Sequence, residues 1–299
     1  MTLGQLGNLL PGGCLDEAGG LHREVELSPL TGREEEMLLG GSRLGADLVT
    51  ELLARCVRRI GGLSPVTQGT VRGLLVADRQ FLLLKLRQAA FGSRVQATVG
   101  CPWRDCGEKA DIEFSIDDIP VREPSARSAW HEAELPSEAL LADGSAAGSA
   151  VFRLPRGSDQ EALAGAMAGN EARALRLLLH ACLRRLGPHE HPDEGLVASL
   201  PPRTCLELER RMAEAAPHLD LEIGTACPAC GRVFQVPFDL HDFFFGEFRA
   251  SRDFLYREVH YLAYHYHWSE AEIMDMPRHN RMRYIELLAE EIDRMNHGQ

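Results

Sequence analysis

Two short turns decide the reading of this chain: Cys101-Pro102-Trp103-Arg104-Asp105-Cys106-Gly107 and Cys227-Pro228-Ala229-Cys230-Gly231. Val95-Gln96-Ala97-Thr98-Val99 leads into the first, and Ala110 to Ile116 leaves it; Leu221 to Ile223 leads into the second, and Val233 to Phe238 leaves it. Alternation with a period of two is the mark of a strand, so each cysteine pair is expected at the tip of a β-hairpin. A turn holding two cysteines a few residues apart offers both sulfurs to one ion, and the glycine after the second cysteine accommodates the tight backbone. Two such turns supply four thiolates, the closed tetrahedral set of structural zinc, with no position left for a reacting water. The expected metal site is therefore Cys101, Cys106, Cys227 and Cys230 around one structural zinc. A redox dithiol at Cys227 and Cys230 is the rival. Such a pair normally stands where a strand meets a helix, whose dipole lowers the thiol pKa, whereas both pairs here lie between expected strands.

Working outward, the two turns belong to a longer repeat. Leu53-Ala54-Arg55-Cys56-Val57-Arg58-Arg59-Ile60-Gly61 aligns with Leu179-His180-Ala181-Cys182-Leu183-Arg184-Arg185-Leu186-Gly187. Cys56 precedes Cys101 by the same interval that separates Cys182 from Cys227. Beyond the hairpins, Phe114, Ile116, Asp118 and Ile119 fall opposite Phe238, Leu240, Asp242 and Phe243, and upstream Val25 to Pro29 matches Val151 to Pro155 as an extended entry strand. Each basic run followed by glycine reads as the end of a helix. The expected architecture is α+β: two duplicated helical units, 22–121 and 151–243, each ending in a cysteine-bearing hairpin as paired zinc-ribbon-like knuckles, plus a helical segment over 244–299. Residues 1–21 are expected to be a flexible, glycine-rich start. The stretch 122–150, rich in Pro, Ser, Ala and Gly around Gly144-Ser145-Ala146-Ala147-Gly148, is expected to be a mobile linker.

Within the first unit, Arg79 to Ala90 carries apolar residues too densely for a surface stripe and predicts a largely buried helix. Its counterpart, Pro202 to Ala216, is more polar. Cys56 and Cys182 sit on apolar helix faces as core residues; Cys14 and Cys205 have no partner in sequence. The closing segment is aromatic and rich in histidine. Phe254 to His267 predicts one helix, Ser269 with Glu272 a capping box, Pro277 a stop, and Arg278 to Met295 an amphipathic helix with Met282, Ile285, Leu288 and Ile292 on one face. Ring packing accounts for His260, His265 and His267, a polar turn for His189 and His191, a solvated basic face for Arg278, Arg281 and Arg283, and the helix dipole for Glu34-Glu35-Glu36.

Composition bounds the function. The formal net charge of −12 opposes binding to a phosphate backbone. No apolar run reaches the length of a bilayer-spanning helix and no basic-then-apolar leader opens the chain, so a cytoplasmic protein with no nucleic-acid or membrane partner is expected. Gly-rich phosphate loops, nucleophile elbows and His-Glu-x-x-His helices are all missing from the sequence, which gives no argument for an enzyme.

Some residues carry a specific likeness. Leu27-Ser28-Pro29-Leu30-Thr31-Gly32 with Glu36 and Leu38, then Asp78, Leu82-Leu83-Leu84, Leu86-Arg87 and Gly92, then the first hairpin and Ile116-Asp117-Asp118, together resemble the T-even-phage-type baseplate hub assembly chaperone family. The likeness covers Val25 to Ile119 well and Val151 to Phe243 more weakly, with Thr204 standing where the first unit has Asp78 and Ala213 where it has Arg87. Tyr261 to Trp268, Met276-Pro277 and Arg283-Tyr284 look like small helical proteins encoded in the same kind of cluster. The resemblance implies a non-enzymatic part in assembling or forming a contractile-tail baseplate, with baseplate or hub proteins as partners. A zinc-ribbon adaptor for nucleic acid or the transcription machinery, and a dithiol oxidoreductase, are the alternatives.

Overall fold

The computed structural model describes residues 8–16, 18–40, 45–167, 169–250 and 252–297. The chain is mixed α and β and forms two compact units from interleaved segments: 1–26, 45–82 and 120–220 in the first, 27–44, 83–119 and 221–299 in the second. The sequence reading laid its domains end to end; the compact units instead draw on segments far apart in the chain.

In the first unit, helix Ala46–Cys56 runs directly into strand Val57–Ile60, and helix Glu171–Cys182 into strand Leu183–Leu186. This corrects the expectation that Arg58-Arg59 and Arg184-Arg185 close helices. The β-branched Val57 and Ile60 and their counterparts Leu183 and Leu186 point into the core while the arginines between them face outward, an alternation that only a strand provides. Gly61 and Gly187, both at φ +54, turn the chain out of these strands. Strand Val57–Ile60 lies beside Leu21–Leu27, which pairs antiparallel with Leu9–Leu15. Strand Leu183–Leu186 lies inside a four-stranded antiparallel sheet with His189–Glu190, Ser149–Phe152 and His131–Glu134.

Two expectations of looseness are overturned. Leu9–Leu15 is a strand with Leu10 fully buried, so the flexible start does not extend over it; residues 1–7 and Glu17 lie outside the described residues. The stretch 122–150, expected as a mobile linker, supplies strand His131–Glu134 and buries Leu135, Ala139, Leu141 and Ala147 in a core with Leu179, Cys182, Leu208 and Met212. Its small residues pack rather than swing, and burial of that apolar surface opposes the entropy of a free chain. Cys56 and Cys182 are core residues, as expected.

Helix Val76–Phe91 is buried along most of its length, as its composition predicts, yet it carries three buried charges. In the first unit, Asp78 accepts the amides of Gly12 (2.8 Å) and Gly13 (3.0 Å), fastening the outer strand. Desolvation pushes its carboxyl up to about 6 against the pull of those amides. Arg79 donates to Thr50 Oγ1 at 2.8 Å and to the Ala46 carbonyl at 2.7 Å. In the second unit, Arg87 forms a two-bond pair with Glu247 (3.0 and 2.9 Å). Asp78 and Arg87 therefore serve separate partners. At the positions aligned with them, Thr204 donates to the Leu140 carbonyl at 2.7 Å and Ala213 has only a backbone role.

The rest of the second unit holds helix Gly32–Gly40, the two hairpins, helix Leu240–Ala250 with Phe244, Phe245 and Phe248 buried, and helices Arg252–Tyr266, Glu270–Met274 and Arg278–His297. The Ser269–Glu272 capping box is present with both of its bonds. The solvated basic face expected for the last helix is overturned at its first turn. Arg281 is 0% exposed and bridges Glu35 (2.8 Å to each oxygen) and Glu258 (2.7 Å), while Arg278 also reaches Glu35 at 2.9 Å. Burial would lower the Arg281 pKa, but the two carboxylates outweigh it and raise it. No helix among the described residues is long and apolar enough to cross a membrane.

Candidate metal centre

Strands Arg94–Gly100 and Lys109–Ser115 pair antiparallel in unbroken register, from Arg94 opposite Ser115 to Gly100 opposite Lys109. The Cys101 amide then donates to the Glu108 carbonyl at 2.8 Å, and the Cys106 and Gly107 amides both donate to the Trp103 carbonyl, at 2.9 and 3.0 Å. Gly107, at φ +64, takes the left-handed conformation that lets the loop rejoin its strand. The second hairpin, Glu222–Ala226 with Val233–Pro237, repeats the device: Cys227 donates to Arg232 at 3.0 Å, Gly231 donates to Cys227 at 2.8 Å, and Gly231 sits at φ +71. The longer first spacer is absorbed within its turn, and both cysteines of each pair face the same way.

The four sulfurs Cys101, Cys106, Cys227 and Cys230 lie within 4.8 Å of one another. Cys101 Sγ is 3.9 Å from Cys230 Sγ, and Cys106 Sγ is 3.7 Å from Cys227 Sγ. Zinc–sulfur bonds of about 2.3 Å in a tetrahedron set the sulfurs about 3.8 Å apart, so the observed spacings fit that donor set, and they are far too long for disulfides. Four cysteines this close can hold a metal ion. Among the described residues this is the one such grouping of three or more ligating side chains. His260 and His265 instead contact Tyr264 and Tyr261, as ring packing predicts.

The surroundings are half apolar and half charged. Cys101 and Cys227 are buried with Ala110 and Phe234, and Val99 and Val236 pack alongside. On the open side stands Arg232, which sequence reasoning missed. Its Nε donates to Cys230 Sγ at 3.4 Å, its Nη2 donates to both Asp105 oxygens at 2.8 Å, and its guanidinium lies 5.0 Å from the Trp103 ring centre. The Arg232 amide, then its guanidinium, holds Cys230 down at about 6. At Cys106 the Glu108 amide favours the thiolate, but desolvation and the neighbouring sulfurs prevail and push it up to about 12. Desolvation likewise raises Cys101. A single guanidinium thus offsets the charge of the Cys230 thiolate and ties one knuckle to the other through Asp105. Neither pair opens a helix: Cys227 to Cys230 form a turn that passes into strand Val233–Pro237, so the dipole-activated geometry of a redox dithiol is missing.

Away from this centre, the first unit has a cavity of about 640 Å³ lined in part by Cys14, Asp16, His131 and Arg156. Asp16 is committed to His22 at 2.9 Å and to the Ala18 and Gly20 amides, and the His131 ring stacks on Phe152.

Comparison with known proteins places two segments of the chain in described families. The family described as T4 bacteriophage base plate protein matches residues 16–177, more than half of the chain. A second, described as a family of unknown function (DUF6760), matches residues 249–299. No curated protein and no solved structure matches.

Proposed function

Since the chain belongs to the T4 bacteriophage base plate protein family, we propose that it is a non-enzymatic component or assembly factor of a phage-like contractile-tail baseplate, acting in the cytoplasm while the particle is built. The observation that carries this is the family match over 16–177. The geometry supports it, because the one grouping of ligating side chains among the described residues is a closed, cross-linking set of sulfurs. Its partners in this reading are other baseplate or hub proteins; an acidic surface of this charge is ill suited to nucleic acid.

In the same reading Cys101, Cys106, Cys227 and Cys230 hold one zinc ion, and the two knuckles are halves of an internal duplication. A bound zinc supplies cross-linking energy, which at a four-thiolate site is also folding energy. The chain's own residues prepare the site: Gly107 and Gly231 turn the thiols inward, Phe234 and Ala110 exclude water, and Arg232 balances charge. The test is deletion of the gene in a cell that makes such particles, with particles counted by electron microscopy and the purified tails searched for this chain by mass spectrometry. Loss of tails, or tails without baseplates, is expected. Complete, contracting particles from the deletion strain would refute the proposal.

A further inference from the structure

The cavity of about 640 Å³ in the first unit has a mainly apolar wall, with Leu15, Leu21, Leu63, Leu75 and Leu154 along it. Leu15 and Leu21 face each other across the first strand pair and remain 36% and 38% exposed, so apolar surface reaches the solvent there. Gly73 lines the cavity as well, and a Cβ on it would meet no atom within 4 Å, so no protein atom fills that side. Most polar groups of the wall are already engaged. Asp16 gives one oxygen to the Ala18 and Gly20 amides and the other to His22, Arg127 pairs with Glu123, Thr70 bonds Thr67 in the cap of its own helix, and Ser128 Oγ accepts the Trp130 amide. Burial raises the Cys14 pKa, which keeps that thiol protonated, and lowers that of His131, which keeps the ring neutral. Two groups are left over. The Arg156 backbone is pinned, its amide donating to Asp159 at 2.8 Å and its strand bridging Leu75, but among the described residues its guanidinium has no hydrogen-bond or ion-pair partner. His131, 7% exposed, has its Nε2 buried without a partner.

We infer that this cavity binds a carboxylate carried on an apolar body, with Arg156 pairing with the anion and the leucines covering the body. A single cation fixes the class of anion. One planar guanidinium matches one carboxylate in both charge and two-bond geometry, whereas a doubly charged phosphate would need further cations that the wall does not offer. An apolar enclosure of this volume with few convergent polar groups is the usual form of a ligand pocket. Two sources carry this chemistry: the C-terminus of a protein ending in a large apolar residue, and a free small acid.

The test titrates the full chain with N-acetyl-leucine, with N-acetyl-leucinamide, which lacks the charge, and with the peptide Gly-Ser-Gly-Ala-Leu bearing a free C-terminus, each followed by ligand-observed NMR. The acid is expected to bind about tenfold or more tightly than the amide, on the scale of one charge-assisted pair. Arg156→Gln should remove that preference and leave the weaker apolar binding. Gly73→Leu, at a position outside the left-handed region and open to the cavity, should fill the space and abolish binding of all three while thermal unfolding stays unchanged. Tighter binding of the peptide than of the acetylated residue assigns the site to a chain end, and its exclusion to a free acid; both outcomes support the carboxylate site. Equal binding of acid and amide, no binding of any of the three, or undiminished binding by the Gly73→Leu protein would overturn the inference.

Discussion

Replacing Glu35 by alanine would show how much of the second unit rests on a buried charge network. Glu35 accepts three N–H bonds, two from Arg281 and one from Arg278, all between 2.8 and 2.9 Å. Each charge-assisted bond is worth about 1.5–3 kcal/mol by itself, but the three are not additive, and truncating one partner of a buried pair costs about 3–5 kcal/mol because a charge is left without its match. Arg281 keeps Glu258 at 2.7 Å, which places the expected loss at the low end, about 3 kcal/mol. Urea unfolding followed by tyrosine and tryptophan fluorescence measures it, since Tyr266, Trp268 and Tyr284 pack together in this segment. Adding Arg281→Met together with Glu258→Gln removes the cation without leaving its second carboxylate unmatched and should restore much of the loss. Arg94→Ala, which breaks a pair whose side chains are 74% and 45% exposed, is the surface control and should leave unfolding nearly unchanged. A Glu35→Ala protein no less stable than that control, or a triple variant less stable than Glu35→Ala alone, would refute the reasoning.

Two further outcomes follow from the first unit. The Asp78 carboxyl is raised from 3.8 to about 6 on folding, so the folded chain binds that proton more tightly than the unfolded one. Its contribution is therefore least favourable above pH 6 and improves as pH falls towards 3.8, by about 3 kcal/mol in all. Relative to Asp78→Asn, the unsubstituted protein should gain stability between pH 7 and pH 5 in parallel urea titrations; a constant or opposite difference would contradict this. Gly157→Ala would drive a Cβ into Arg79 Nη1 and place it 2.9 Å from its Cδ, displacing a buried guanidinium from Thr50 and Ala46. It should cost about 1–3 kcal/mol in the same assay, whereas an alanine at Gly165, which meets nothing within 4 Å, should be tolerated.

The candidate site was legible because its signal is local: paired cysteines, a glycine after each pair and alternating flanks all lie within a few residues. The density of apolar residues from Arg79 to Ala90 likewise announced a buried helix, which the structure extends to Val76–Phe91. What escaped notice depends on distance or on ambiguity of period. Arg58-Arg59 and Arg184-Arg185 look like basic helix ends, and only sheet neighbours remote in sequence make those residues strands. The stretch 122–150 has linker composition, but Leu135, Leu141 and Ala147 have a core to enter. Arg281 looked like a solvated cation because its buried partner Glu35 stands 246 positions away, and Arg232 drew no reading because Asp105 stands 127 away. Nothing in either neighbourhood hints at the pairing.

The central claim is that the two hairpins share one ion, and metal content tests it most directly. The full chain, purified under reducing conditions, should carry about one zinc per molecule by plasma mass spectrometry. Cys101→Ser and Cys227→Ser, which remove one ligand from different hairpins, should each lose the metal and lower thermal stability together. Protein without metal, or zinc retained in full by both variants, would contradict the shared site.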